Sequence, residues 1–493
     1  MRAALEQVRE AGMNMLRVSG NTIYESDDFY ALCDELGILV WQDFMFSTFD
    51  YPRDAEFCTA VRLEAEQFLE RTAARACIVV LCGNSEGQQQ PAMLGLGSES
   101  WESPIFDDLL PELCRHWRPD VPFWTSTPGG GDLPFRPDHG TSHYFGVGAY
   151  RRPLSDAVLA KPQFMTECLA LSNLPGNSGS DKTAPSRIPQ DVGADWNFKH
   201  ITDHYLRAFY GDAVAERCAS DREFAGMLGR ATSALLMEKA GTLWRDPESS
   251  CQGALVWLHR DPWASAGWGV IDSNGRPKSA YYGLKRAWAS PALAIVDDGL
   301  NGLRLLAFND GATSVAGRLD LQLMRIDGTL IAHSEKSITV EPRSTLAMNV
   351  ETLLGEFLDA SYAYRFGPRA IDVCVARLDL TASRSQAEDQ AIEAVHLPIE
   401  MGLLPRQAIG LRADWDEGHS SRPRLRVSTE QFAQTVVLEL DNAVPSDNFF
   451  HLAPHGTKMV WVDAMTPGRP VTGTVSAMNS AETTVIASQR EEE

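Results

Sequence analysis

The sequence predicts an α/β domain over residues 1–292, followed by two β-sandwich units at 293–397 and 398–488. Three observations carry this. Helix-like and strand-like segments alternate as far as Pro291. Short strands with tight turns replace them beyond that point, and a second set of such strands begins near residue 398.

Residues 1–11 carry an amphipathic helix pattern, and Met13–Val18 reads as the first strand. Helix signals return at Phe29–Leu36. Gly37 stops that helix, and Ile38–Trp41 is a buried strand. Phe57, Val61, Ala65, Phe68 and Leu69 recur at spacings of three and four, which predicts a helix. Cys77–Cys82 is a continuous apolar run bounded by Gly83, the mark of a parallel strand buried on both faces. Further strands are expected at Val121–Trp124, Ser142–Tyr144, Gln163–Thr166 and Ala254–Trp257, seven in all. Leu171–Asp195, rich in Gly, Ser, Asn and Pro, reads as a surface loop.

Past Pro291 the grammar is all-β. Leu303–Phe308, Leu319–Ile326 and Ile371–Leu378 are short strands, and Asp327-Gly328 fits a hairpin turn. Val436–Leu440 and Met459–Val462 belong to the last unit, and the tail Arg490–Glu493 is expected to be disordered.

Composition narrows the function. There are 66 acidic against 44 basic residues, a formal charge of -22, which repels phosphate backbones and argues against a nucleic-acid partner. Neutral ligands such as sugars stay open. No apolar run reaches the ~18 residues of a membrane span, so no membrane partner is expected. The nine cysteines form no C-x-x-C pair and several lie in apolar runs. They read as buried free thiols, which favours a reducing, cytoplasmic compartment. The first residues lack the apolar core of a signal peptide. No metal-ligand spacing and no phosphate-binding glycine loop occurs, so neither a metal nor a cofactor is expected. Nothing in the sequence specifies an oligomeric state.

Placement picks out two of the many carboxylates. Glu86 follows a buried strand in Leu81-Cys-Gly-Asn-Ser-Glu86, and Glu167 ends another in Gln163-Phe-Met-Thr-Glu167. In a parallel barrel the C-terminal strand ends share one mouth, so both residues would meet there. Two carboxyl groups in one pocket suit glycoside cleavage: one protonates the leaving oxygen and the other attacks the anomeric carbon. The plain alternative is a strand-end glutamate that caps a helix N-terminus.

Several segments together resemble the β-mannosidases of glycoside hydrolase family 2. These are Gly12–Gly20 with Tyr24-Glu25, Asp34–Phe46, Cys77–Glu86, Phe164–Glu167 with Leu174-Pro175, Gly253–Trp257, Trp268–Asp272, Arg276–Tyr282 and Ser446–Pro454. They fall in the family's order along nearly the whole chain. The resemblance implies a (β/α)8-type TIM barrel followed by two immunoglobulin-like β-sandwich domains. It implies a retaining exo-glycosidase that removes terminal β-D-mannose from β-mannoside oligosaccharides or glycans. Glu86 is then the acid/base and Glu167 the nucleophile, with Arg17 and Asn84 at strand ends near the sugar.

Around that pair, Arg17 can hold a carboxylate or form a salt bridge at the barrel mouth. Trp41 and Trp257 are candidate sugar platforms, with a core role as the alternative. Asp43 would bind a sugar hydroxyl or fix the loop after Trp41. His143 would hydrogen-bond substrate or Glu167, or serve as a satisfied barrel histidine.

The sequence departs from the family in two places. Ser85 stands where the family carries an asparagine that bonds the sugar 2-hydroxyl, so the sugar is less specified than the reaction. The N-terminal sandwich domains and the first barrel strand have no counterpart, so the chain is read as N-terminally truncated, with weak activity or solubility by itself. Two alternatives stay open: another family 2 exo-β-glycosidase, such as an exo-β-glucosaminidase or a β-glucosidase-like enzyme, and a non-catalytic carbohydrate-binding barrel or inactive fragment.

Overall fold

A computed structural model describes residues 1–176, 197–380, 391–416 and 422–486. The expected acidic tail and most of the Leu171–Asp195 loop lie outside these residues. The chain divides into two compact units: Met1–Ala170 with Glu248–Leu258, and Leu171–Pro247 with His259–Glu493.

The first unit holds seven strands, each at or beside a segment where the sequence predicts one. They are β1 (Met15–Val18), β2 (Leu39–Asp43), β3 (Ile78–Cys82), β4 (Phe123–Trp124), β5 (Thr141–Tyr144), β6 (Phe164–Leu169) and β7 (Gly253–Trp257). All neighbours pair in parallel, in the orders β1-β2-β3-β4 and β5-β6-β7. Paired backbone at Gly129 and Thr141 carries the chain from one sheet to the other. Within each sheet helices separate successive strands, as parallel pairing requires. α1 is Arg2–Glu10, α2 is Asp27–Leu36 and α3 is Ala55–Thr72. Gly37 takes a left-handed φ of +71° and ends α2. Asp54 caps α3 by accepting from the Glu56 and Phe57 N–H groups.

The stripe on α3 does what its spacing predicts. Val61, Ala65, Phe68 and Leu69 are buried with Tyr30, Phe44 and Leu81 in one core. Each large apolar side chain placed there contributes about 1.5–3 kcal/mol over exposure. Packing of this layer fixes the strands, and through them the side chains at their C-terminal ends.

The second unit contains two sandwiches and the helices that pack with them. Strands 330–340, 315–324, 373–380 and 391–396 form one antiparallel sheet, and 344–349, 303–309 and 292–297 another. Leu305 and Ala307 of one sheet meet Leu319, Leu321 and Cys374 of the other in a single core. The Asp327-Gly328 hairpin forms as expected, with Gly328 at φ +88°. A second pair of sheets encloses Leu425, Val436, Leu438, Val460 and Val475.

The compact units do not follow the 1–292 boundary, for a physical reason. Helices Arg222–Arg245 and Ser279–Trp288 pack on each other, and Leu206, Phe224 and Leu228 share a core with Val437 and Met478 of the last sandwich. Of the nine cysteines, seven are buried, and all nine are free thiols. No helix of the described residues is long and apolar enough to cross a membrane.

Candidate active site

Arg17, on β1, is the hub of the site. Its Nη2 donates to Asp43 Oδ2 at 2.7 Å and its Nη1 to Glu167 Oε1 at 2.8 Å. Nη2 also reaches Ser85 Oγ at 3.1 Å, and Nη1 reaches the Thr166 carbonyl at 3.3 Å. The side chains of Arg17, Asp43 and Glu167 are 4%, 0% and 9% exposed. Burial opposes the guanidinium charge, but Asp43 and Glu167 outweigh it and hold the Arg17 pKa above its ordinary value.

Asp43 is fully engaged. Besides Arg17 it accepts from Trp41 Nε1 at 2.9 Å and from the Gly20 N–H at 3.0 Å. Position 20 must be glycine, since a Cβ there would stand 2.0 Å from the Phe46 carbonyl oxygen. The Trp41 indole stacks on Phe164, with ring centroids 5.6 Å apart. In the structure Trp41 is therefore a buried brace for Asp43. Asn84 is buried as well: its Oδ1 accepts from Gly87 N–H and Ser126 Oγ, and its Nδ2 donates to the Thr125 carbonyl. It ties down the loop that carries Glu86. Trp257 ends β7 and is half-buried.

Glu86 sits in that loop with a left-handed φ of +63°. The conformation is held by the Ser85 N–H on the Phe46 carbonyl and the Glu86 N–H on the Thr127 carbonyl, at 2.9 and 2.7 Å. Such a backbone costs a glutamate about 1–3 kcal/mol, a strain that concentrates at functional positions. Gln89 Nε2 donates to its Oε1 at 3.0 Å and Gln90 Nε2 to its Oε2 at 3.4 Å.

His143, on β5, faces both carboxylates. Its Nδ1 is 2.7 Å from Glu86 Oε1 and 3.6 Å from Glu167 Oε2. A register shift in the β5–β6 pairing brings His143 level with Glu167. Burial is the largest influence and would raise the Glu86 pKa, yet the His143 hydrogen bond and charge, with Gln90 and Arg17, together outweigh it and hold the group below its ordinary value.

Coordinating-type atoms of Glu86, His143 and Glu167 all lie within 4.8 Å of one another. Tetrahedral zinc with bonds of about 2.0 Å needs ligand atoms about 3.3 Å apart. The 2.7 Å between His143 and Glu86 is instead a hydrogen-bond length. Two carboxylates at this separation, one gripped by arginine and one by histidine, can act as a nucleophile and a proton donor.

Sequence reasoning brought together Arg17, Asp43, Glu86, His143 and Glu167, and the structure places all five in one cluster. It missed Gln89 and Gln90. Their spacing of three and four residues from Glu86 at the start of a short helix was the available signal.

No family model matches the chain. Among curated relatives, β-mannosidase B of Thermothelomyces thermophilus is 29% identical over 316 residues, covering 58% of this chain and 37% of that protein. β-Mannosidase B of Emericella nidulans is 28% identical over 370 residues, 67% and 43% of the two chains. β-Mannosidase B of Aspergillus niger is 30% identical over 302 residues, 57% and 36%. The chain is thus similar in sequence to curated β-mannosidases and in fold to a solved one. It spans less than half the length of these relatives. The solved β-D-mannosidase of Dictyoglomus thermophilum shares the fold with a TM-score of 0.78 at 23% identity, over 97% of this chain and 58% of that one. The exo-chitosanase CsxA of Amycolatopsis orientalis aligns with a TM-score of 0.63 at 16% identity, over 98% and 61%. Both homologues and fold neighbours are glycoside hydrolases.

Proposed function

We propose that this chain is the catalytic and C-terminal part of a retaining exo-β-glycosidase that releases terminal β-D-mannose. Residues 1–292 form seven strands of a (β/α)8-type barrel, and 293–397 and 398–488 are its sandwich domains. One observation carries the reading: carboxylate oxygens of Glu86 and Glu167, 81 residues apart in sequence, lie within 4.8 Å of each other. Retaining glycosidases hold their two carboxyl groups about 5–5.5 Å apart, whereas inverting enzymes need room for a water between them.

In the first step the Glu167 carboxylate attacks the anomeric carbon. The bond from that carbon to the glycosidic oxygen breaks, and the Glu86 proton moves to that oxygen. The products are a free alcohol and a glycosyl ester. In the second step Glu86 takes a proton from water as the water oxygen attacks the same carbon. The ester bond breaks and the sugar leaves with its original configuration. Arg17 keeps Glu167 oriented, and Asp43, braced by Trp41 and Gly20, keeps Arg17 in place. Trp257 offers its indole to the apolar face of the sugar.

The test is a panel of nitrophenyl β-glycosides with the product anomer read by NMR. We expect β-mannoside to be the best substrate and the β-anomer to form first. Glu167→Gln should lower kcat by about 10⁴-fold or more. Azide should partly restore Glu86→Ala on substrates with good leaving groups. Preference for β-glucosaminide would redirect the sugar assignment, and an α-anomer as first product would overturn the mechanism.

A further inference from the structure

We propose that Asp320, His333 and Glu335, on the outer face of the first sandwich, form a site for a zinc-class transition-metal ion that staples the edge strand of its sheet to the neighbouring strand. None of these residues takes part in the reaction proposed above.

The sheet brings the three together. Leu319, Leu321 and Leu323 of strand Val315–Met324 lie in the sandwich core. Alternation therefore turns Arg318, Asp320 and Gln322 outward. Strand Leu330–Val340 pairs antiparallel with it and is the edge of the sheet. The register sets Glu335 directly opposite Asp320, and His333 opposite Gln322. His333 and Glu335, two residues apart, share the face of Asp320. Two carboxylates placed directly opposite each other destabilise a sheet, a cost that a cation between them removes. The arginines on this face are engaged elsewhere. Arg318 pairs with Glu335 Oε2, and Arg377, opposite Asp320 on the other side, donates to Asp379 Oδ1 at 2.9 Å.

One donor atom from each of the three residues lies within 4.8 Å of the other two. His333 Nε2 is 3.4 Å from Asp320 Oδ1 and 3.9 Å from Glu335 Oε1. Asp320 Oδ1 is buried and finds no hydrogen-bond partner among the described residues. A carboxylate oxygen withdrawn from water and left without a donor is unfavourable, and a bound cation satisfies it. Four-coordinate zinc with bonds of about 2.0 Å sets its ligands about 3.3 Å apart, close to the first separation. Turning the Glu335 carboxyl about its broad terminal torsion closes the second. Arg318 holds the far oxygen of that carboxyl and leaves Oε1 toward the imidazole, as an outer partner of a metal ligand does.

The imidazole selects the ion. Calcium and magnesium take oxygen ligands, whereas imidazole suits zinc, copper, iron and nickel. Two carboxylates balance a divalent charge. The side chains of Asp320, His333 and Glu335 are 27%, 38% and 39% exposed, so the ion enters from solvent and a fourth position stays open to water. Bound there, it adds a link across a strand edge that is otherwise available for pairing with another chain. Spacing along the sequence shows none of this, because Asp320 belongs to a different strand and meets His333 only through the register.

The test uses the intact protein, stripped with a chelator and titrated with zinc chloride in a calorimeter. We expect a site with a Kd below about 1 mM. Losing an outer partner of a metal ligand already costs about 10–100-fold in affinity, so His333→Gln and Asp320→Asn should each weaken this site by about tenfold or more. Glu86→Gln should leave it unchanged. Zinc should raise the melting temperature of the parent protein and not that of His333→Gln. Equal zinc binding by the parent and His333→Gln would overturn the proposal, as would calcium binding as tightly as zinc. Zinc binding kept in His333→Gln and lost in Glu86→Gln would place the ion at the Glu86, His143 and Glu167 cluster instead and also overturn it. One readout needs no variant. Saturating zinc should protect His333 of the parent protein from diethyl pyrocarbonate, read by mass spectrometry, and an unprotected His333 would end the assignment.

Discussion

Arg17 donates to Glu167 at 2.8 Å while a second arm of the same guanidinium holds Asp43 at 2.7 Å. A buried charge is tolerated only when it is paired, so each carboxylate depends on this one cation.

Replacing Arg17 with Met should destabilise the protein by about 3–5 kcal/mol, because Asp43 and Glu167 would be left buried without the cation that both contact. Urea denaturation reads this directly. Arg17→Lys keeps the charge but cannot reach both carboxylates with one planar fork. It should recover part of the stability and little of the turnover.

Trp41 separates two roles. Trp41→Phe removes the 2.9 Å bond to Asp43 and keeps an aromatic ring against Phe164. A hydrogen bond to a charged group contributes about 1.5–3 kcal/mol, so stability should fall by an amount of that order. If Trp41 braces Asp43, kcat drops and KM stays nearly constant. A sugar platform would show the opposite, a rise in KM, and that result would return Trp41 to the substrate.

In the second unit, burial, then the nearby Lys239 and Arg286 charges, push His451 down to about 3. His396 is shifted the same way, again mainly by burial. Below pH about 6.5 the unfolded chain takes up protons that the folded one refuses. Stability is therefore unaffected by these groups above that value and falls as the pH drops toward 3. His451 contributes about 1.4 kcal/mol per pH unit in that window. His451→Asn should flatten the decline in the denaturation midpoint between pH 6.5 and 4.5, and an unchanged slope would remove His451 as a cause.

Glu86→Asn should abolish turnover and leave stability equal or raised by about 1 kcal/mol, since asparagine tolerates a left-handed backbone better than glutamate. A melting temperature that falls would show that the bonds of Glu86 to Gln89, Gln90 and His143 outweigh the strain.

Much of this was legible in the sequence. β3 (Ile78–Cys82) falls within the apolar run from Cys77 to Cys82 that Gly83 closes, short enough for a strand. The helix stripe from Phe57 to Leu69 is equally legible. Strand ends then point to Glu86 and Glu167 without any knowledge of the loops. What stayed hidden is long-range. Trp41 reads as an available aromatic because the ring that covers it, Phe164, is far away in sequence. His143 reads as a partner for Glu167, but its shortest bond is to Glu86. The register shift between β5 and β6 that sets this has no local signature. The division into compact units was equally invisible, since it follows from which surfaces the helices of 198–245 cover.

The backbone at Glu86 has a consequence for anyone who mutates this protein at random. A library selected only for soluble expression or heat resistance should drift toward Asn or Gly at position 86 and discard the acid with it, while a library selected for sugar release should hold the position fixed. The two selections pull one codon in opposite directions, so the residue recovered at 86 reports which pressure a population experienced.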